Sequence, residues 1–121
     1  MRVVLVVDDD PVSVQLLEII LSRSGYEVLK ATNAADGLEI VYGHKPDVLI
    51  IDDMMPDMSG GEMSRRIKTD SAVQHIPIIL ISAGNRVKNP DYLAEVRADY
   101  ALLKPTLPKD VLAAVEAVLN S

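Results

Sequence analysis

Five short runs of apolar, largely β-branched residues punctuate this chain, and a longer stretch of different character follows each one. The runs are Arg2–Val7, Tyr26–Ala31, Val48–Ile51, Pro77–Ile81 and Tyr100–Leu103. Apart from Arg2, Glu27 and Lys30 they are apolar where a half-exposed strand would alternate, which predicts strands buried on both faces, that is, a parallel sheet covered by helices on both sides. The intervening stretches carry helix signals. Asp10 can cap a helix that has Pro11 at its first position. Val14, Leu17, Ile20 and Leu21 then recur at helical spacing, and Gly25 closes the helix. Asn33 caps a second helix from Ala34 to about Tyr42, with Gly43 to Asp47 as a loop. Met58 to Gly61 opens a third that runs to about Thr69. A short fourth, Pro90–Arg97, has Asn89 as its cap. The last begins near Pro108 and sets Val111, Val115, Val118 and Leu119 on one stripe. No repeat, low-complexity segment or linker interrupts the alternation, and 121 residues suit one domain spanning 1–121.

In sheets of this kind the functional crevice lies beyond the carboxyl ends of the strands. The residues at those ends are Asp8-Asp9-Asp10, Asp52-Asp53, Ser82 and Lys104. If the first and third strands are neighbours, Asp8, Asp9 and Asp52 converge on one small volume. Unit charges about 4 Å apart repel by roughly 4 kcal/mol at an intermediate dielectric, so the cluster calls for a cation or raised pKa values. Hard carboxylate oxygens without His or Cys favour Mg²⁺. The bland reading of the triplet is helix capping with favourable charge at a helix N-terminus; a second acidic pair at another strand end weighs toward a metal. Lys104 could be an ordinary solvated lysine, but facing the acids its ammonium can pair with Asp52 and a bound phosphoryl group. Ser82 could be an ordinary turn residue, but its hydroxyl can donate to a phosphoryl oxygen, and Ala83 leaves room for that group. His44 and His75 read as surface loop residues. Met54, Met55, Met58 and Met63 read as packing around a loop and helix.

Composition narrows the function classes. A net charge of −6 argues against nucleic-acid binding, and the absence of Phe and Trp leaves few rings for base stacking. With no Cys, disulfides, thiolate metal sites and thiol catalysis are excluded. The opening apolar run, Val3 to Val7, is too short to span a bilayer and lacks the shape of a signal peptide. No membrane association and a cytoplasmic location are the expectations.

Val-Val-Asp-Asp at 6–9, Pro-Asp-Val-Leu-Ile-Ile-Asp at 46–52, Met-Met-Pro-Asp-Met-Ser-Gly at 54–60, Ser82-Ala83 and Lys104-Pro105, in this order, resemble the receiver domains of two-component response regulators over essentially the whole chain. The resemblance implies a flavodoxin-like three-layer αβα sandwich, with a five-stranded parallel sheet of order 2-1-3-4-5 and five helices. It implies that Asp52 is the phosphoacceptor and that Asp9 ligates Mg²⁺ directly. Asp8 would act mainly through a bound water, the Met54 backbone carbonyl would be a further ligand, and Ser82 and Lys104 would bind the phosphoryl oxygens. The donor would be a phosphohistidine on a sensor histidine kinase or histidine phosphotransfer protein, and the acyl phosphate later hydrolyses, making the domain a timed switch.

Three positions depart from the family pattern. Ala101 stands where an aromatic residue is usual, three places before the lysine, and Thr106 stands where Phe is frequent. Asn89-Pro90 predicts a short or shifted fourth helix. Without a ring at Ala101, the response to phosphorylation is expected to arise from the Ser82–Asn89 loop or from partner contacts. Two other readings remain beside the receiver. A haloacid-dehalogenase-like phosphatase would use Asp8-Asp9-Asp10-Pro11-Val12, but its acidic pair should follow the lysine, and Asp52-Asp53 precedes it. A degenerate receiver acting only as a binding module would not need the full set of acids, Ser82 and Lys104. A dinucleotide-binding domain is poorly supported, because three Asp residues stand where a glycine-rich phosphate loop belongs. Whether the segment stands alone or belongs to a longer regulator or hybrid kinase is open, as are its signal and output.

Overall fold

In the computed structural model, which describes residues 1–120, the apolar runs are strands: β1 (Val3–Val7), β2 (Glu27–Ala31), β3 (Val48–Asp52), β4 (Ile78–Ser82) and β5 (Tyr100–Leu103). They alternate with helices α1 (Pro11–Arg23), α2 (Ala34–His44), α3 (Gly60–Lys68), α4 (Pro90–Val96) and α5 (Pro108–Leu119). All strand pairs are parallel, in the order β2-β1-β3-β4-β5. Because successive side chains point to opposite faces, each apolar strand feeds two cores. Leu5, Val7, Leu49, Ile51, Ile78 and Leu80 pack with Val41, Met63, Ile67 and Val96 from α2, α3 and α4. Val4, Val6, Val48, Ile50, Ile79 and Ile81 pack with Leu17, Leu21, Val111 and Val115 from α1 and α5. Full burial of one such side chain contributes roughly 1.5–3 kcal/mol before chain entropy is counted. Burial on both faces is complete for β3 and β4 and nearly so for β1, whereas the edge strands β2 and β5 are only partly covered.

The caps expected from sequence are in place. Asp10 accepts from the Val12 N–H, Asn33 from Asp36 and Asn89 from Asp91. Gly25 has φ 91°, a conformation that costs glycine little. The end of α2 departs from expectation. Gly43 does not stop the helix, which continues through His44, and Lys45 adopts the left-handed cap with φ 48°. His44 therefore sits in a helix's last turn, outside any loop. A short 3₁₀ turn, Arg86–Lys88, precedes α4 and has no counterpart in the sequence reading. At the pole where strands begin, Arg2, Asp47, Val118 and Leu119 border one crevice, so β1 starts close to where α5 ends.

One close approach fixes the carboxyl end of β3. Gly60, the first residue of α3, lies so near that a Cβ there would stand 2.5 Å from the Asp52 carbonyl oxygen and 2.9 Å from Asp53 Cα. Those are backbone atoms and cannot swing aside. Gly60→Ala should therefore destabilise the chain by about 2 kcal/mol, in the range of overpacked cores. Gly43→Ala, where nothing lies within 4 Å of the added carbon, should be neutral or stabilising by up to about 1 kcal/mol. Urea unfolding of the two variants checks the contrast; equal effects would show that the approach at Gly60 is easily relieved.

Candidate functional site

The strand-end residues meet at one pole. Strand pairing sets β1 beside β3 and β3 beside β4, which brings the residue after Val7, the last residue of β3 and the last residue of β4 together. Asp8 is fully buried. Its Oδ1 accepts the Asp10 N–H at 2.9 Å and its Oδ2 lies 2.8 Å from Lys104 Nζ. Asp52, 5% exposed, is held by both oxygens. Oδ1 accepts the Met54 N–H at 3.1 Å, and Oδ2 is 3.3 Å from Lys104 Nζ. Asp9 is exposed. Carboxylate oxygens of Asp8, Asp9 and Asp52 all lie within 4.8 Å of one another. A set of hard oxygen donors at this spacing could hold a divalent metal ion. Ser82 is buried as the last residue of β4, not in a turn, and its Oγ accepts the Gly84 N–H at 3.0 Å.

The triplet thus divides into separate tasks. Asp10 takes the bland role, capping α1 through Val12 and holding Ser13 Oγ at 3.2 Å. Asp8 and Asp9 turn to the cluster. The pair at 52–53 divides as well. Asp53 does not join the acids, because neighbouring strand residues face opposite sides. Its buried carboxylate accepts from the Gly61 N–H at 2.9 Å, the Tyr92 hydroxyl at 2.7 Å and Arg86 Nε at 2.5 Å. Reading 52–53 as a second acidic pair for the metal is corrected to one acid, Asp52. Met54 is corrected too. Its side chain is 60% exposed at the site, whereas Met55 and Met63 are buried in the core and Met58 packs against it, as expected.

A further acid was not anticipated. Asp57, in the loop after β3, accepts the Ala34 N–H at 3.0 Å and the Ala35 N–H at 3.2 Å, placing a carboxylate on the first turn of α2. Partial burial opposes ionisation, but these backbone donors outweigh it and lower the Asp57 pKa. The contact pins the loop after β3 to α2. A sequence signal for it is weak, since Asn33 already supplies that helix with a cap.

Electrostatics follow the geometry. Burial, reinforced by the charge of Asp8, raises the Asp52 pKa against the opposing pull of the Met54 N–H and Lys104. At Lys104 burial disfavours the charge, but the bond to Asp8 and the charges of Asp52 and Asp8 prevail and raise its pKa. One ammonium does not balance the three carboxylates of the cluster. Beside them, a cleft of about 630 Å³ is bordered by Asp9, Asp53, Met54, Ser82, Gly84 and Arg86. Burial also pushes the Tyr92 hydroxyl up to about 12, with the hydrogen bond to Asp53 and its charge adding to it.

A family model described as the response regulator receiver domain matches residues 4–116. The chain belongs to that family. It is therefore a receiver of two-component systems, a signalling switch whose family accepts phosphoryl groups from histidine kinases, and the phosphatase reading is set aside. The phosphate regulon transcriptional regulatory protein PhoB of Pseudomonas aeruginosa is 35% identical over 98% of this chain, which spans about half, 52%, of that relative. Protein PilH of the same organism is 31% identical, with 96% of each chain covered. Among solved structures, a putative response regulator from Chloroflexus aurantiacus superposes with a TM-score of 0.92 at 28% identity, covering 99% of this chain and 98% of that one. The chemotaxis response regulator CheY4 of Vibrio cholerae gives 0.90 at 29%, covering 98% and 99%. The flavodoxin-like sandwich in 2-1-3-4-5 order is thus the family's fold. No helix among the described residues is long and apolar enough to cross a membrane.

The raised Asp52 pKa has a measurable consequence. A carboxyl whose folded pKa exceeds its unfolded value costs stability at neutral pH, and that cost fades as pH falls through the folded pKa and then the unfolded one. Asp52→Asn should therefore raise the melting temperature of the metal-free chain by a few degrees at pH 7. The gain should shrink on acidification and vanish below about pH 4. Thermal scans across pH check this; a gain independent of pH would place its origin elsewhere.

Proposed function

We propose that Asp52 is the phosphoacceptor of this receiver and that the cluster holds Mg²⁺ during transfer. The observation that carries the reading is the placement of Asp52. It is the carboxylate whose two oxygens are oriented by the Met54 N–H and by Lys104 while it shares a cluster with Asp8 and Asp9. Asp8 is enclosed, with Lys104 and the Asp10 N–H occupying its oxygens. Among the described residues, no cation is paired with Asp9. Carboxylate oxygens of Asp9 and Asp52 would hold the ion, with Asp8 acting mainly through a bound water and the Met54 carbonyl as a further ligand; bound there, Mg²⁺ supplies positive charge for the phosphoryl oxygens. The chain's own residues do the rest. An Asp52 oxygen attacks phosphorus, the phosphorus–nitrogen bond of a phosphohistidine breaks, and its electron pair returns to the imidazole. Lys104 offsets charge on the transferring group. Ser82 Oγ, now accepting from Gly84, has its own proton available for a phosphoryl oxygen. The phosphohistidine belongs to a sensor histidine kinase or histidine phosphotransfer protein, and a cytoplasmic location goes with such a donor. The set is complete for chemistry, which favours a working switch over a degenerate binding module.

With acetyl phosphate and Mg²⁺, intact-mass measurement should show one added phosphate, absent in Asp52→Ala and without divalent cation. Uptake undiminished in Asp52→Ala would remove the assignment. Because a ligand that binds only the folded chain stabilises it by mass action, Mg²⁺ alone should raise the melting temperature, by about 2.7 kcal/mol of stability at a hundred times its Kd. Asp9→Ala should lose that shift. A full shift in Asp9→Ala would locate the ion at another site.

A further inference from the structure

The residue after the acceptor is engaged where the acceptor chemistry does not need it. Asp53 is fully buried, and its carboxylate ties together three separate segments: the start of α3 through the Gly61 N–H, the 3₁₀ turn through Arg86, and α4 through Tyr92. The Arg86 guanidinium also lies over the Tyr92 ring, 4.7 Å from its centroid. The fit is tight, since a Cβ on Gly61 would collide with the Tyr92 hydroxyl oxygen. Charge-assisted bonds to a carboxylate that has no water around it are among the stronger polar contacts in a protein.

The helix so held has few other anchors. Its seven residues, Pro90–Val96, fully bury only Val96, with Tyr92 and Leu93 half-buried against the core; beyond that packing it is held by Ser64 Oγ donating to the Val96 carbonyl at 2.7 Å and by an ion pair between Arg65 and Glu95 at 3.7 Å. An element with so few buried contacts is poised to move. The other end of the tether is coupled to the acceptor. Arg86 follows Ser82 by four residues in the same segment, and the turn between them is closed by the Gly84 N–H on Ser82 Oγ. Arg86 and Ser82 border the same cleft as Asp9. Arg86 spends Nε on Asp53; its remaining N–H groups have no other hydrogen-bond partner among the described residues, and its side chain is 53% exposed. A phosphoryl group on Asp52 would bring negative charge to this cleft and draw the Ser82 hydroxyl and its segment inward. Arg86 would then be divided between two anions, and its hold on the Asp53–Tyr92 contact would slacken. Ala101 of β5 has only a methyl group to offer on that side.

Resting on the assignment of Asp52 as acceptor, we propose that Asp53, Arg86 and Tyr92 form a clasp that transmits the phosphorylation state of Asp52 to α4. The clasp is closed in the unphosphorylated chain and weakened by the phosphoryl group. Coupling of this kind is reciprocal. Whatever loosens the clasp must also favour the phosphorylated form.

Tyr92→Phe tests it, because the ring and its stacking with Arg86 stay while the bond to Asp53 goes. At saturating acetyl phosphate and Mg²⁺, both chains should gain one phosphate by intact mass. In amide spectra, phosphorylation of the wild-type chain should shift residues 91–96. In Tyr92→Phe those shifts should fall at least about three-fold, because the unphosphorylated spectrum already resembles the released one. Residues 8–9 and 52–54 should respond as in the wild type. Affinity for Mg²⁺-fluoroberyllate, an acyl-phosphate mimic, should rise at least about two-fold in the variant. Arg86→Gln serves as the second variant and should likewise diminish the α4 shifts. A clasp that only stabilises the fold predicts a lower melting temperature with the α4 shifts intact. That result overturns the proposal, as does a phosphorylated wild-type chain whose α4 does not respond. A wild-type chain that gains no phosphate overturns the acceptor assignment and this inference with it, and intact mass tells that failure from the others.

Discussion

Lys104 leaves the end of β5, crosses the mouth of β4 and β3, and sets its ammonium between Asp8 and Asp52. Burying two carboxylates at the tips of adjacent parallel strands costs free energy that the hydrophobic sheet beneath them cannot return. This cation keeps the arrangement in place. The sheet in turn holds the cation, since the Lys104 N–H donates to the Ser82 carbonyl at 2.9 Å. Strand order, strand length and the approach of α3 through Gly60 all serve to deliver those atoms to one volume. The compensation is incomplete: one ammonium faces three carboxylates, and the remaining negative charge leaves a pole that could hold a metal ion.

Asp52 and Asp53 show how one peptide unit can serve two sides of a sheet. The pleat sends the first carboxylate to the acidic cluster and the second beneath the 3₁₀ turn and α4. A displacement of the Asp52–Asp53 backbone would therefore be felt on both sides. Asp57 adds a third direction, fastening the same loop to α2. Asp52 sits at a junction of three helices.

The sheet was legible because its central strands are apolar almost to their ends and its caps are explicit: Asp10 before Pro11, Asn33 and Asn89 each carry a capping signal that the structure uses. The convergence of Asp8, Asp9 and Asp52 followed from the rule about strand ends together with the expected strand order. What escaped depends on long-range partners. Arg86 and Tyr92 lie 33 and 39 residues from Asp53, and no periodicity links them. Strand alternation did hold a clue, since Asp53 had to face away from Asp52 and a buried acid requires donors; it did not say which. The end of α2 misled for a local reason. Gly43 is an ordinary helix terminator, yet Lys45 takes up the left-handed turn two residues later. Met54 misled because apolar character was read as burial, and a methionine at a cleft can stay exposed.

All connections from strand to helix gather at the acidic pole, and the crevice bordered by Arg2, Val118 and Leu119 lies at the other. The start of β1 and the last turn of α5 therefore both lie on the side away from the acidic cluster. A body attached at either end, whether an engineered reporter or another folded unit, would hang like a weight below a hook. The face that carries Asp8, Asp9 and Asp52 would stay open, whatever is carried behind it.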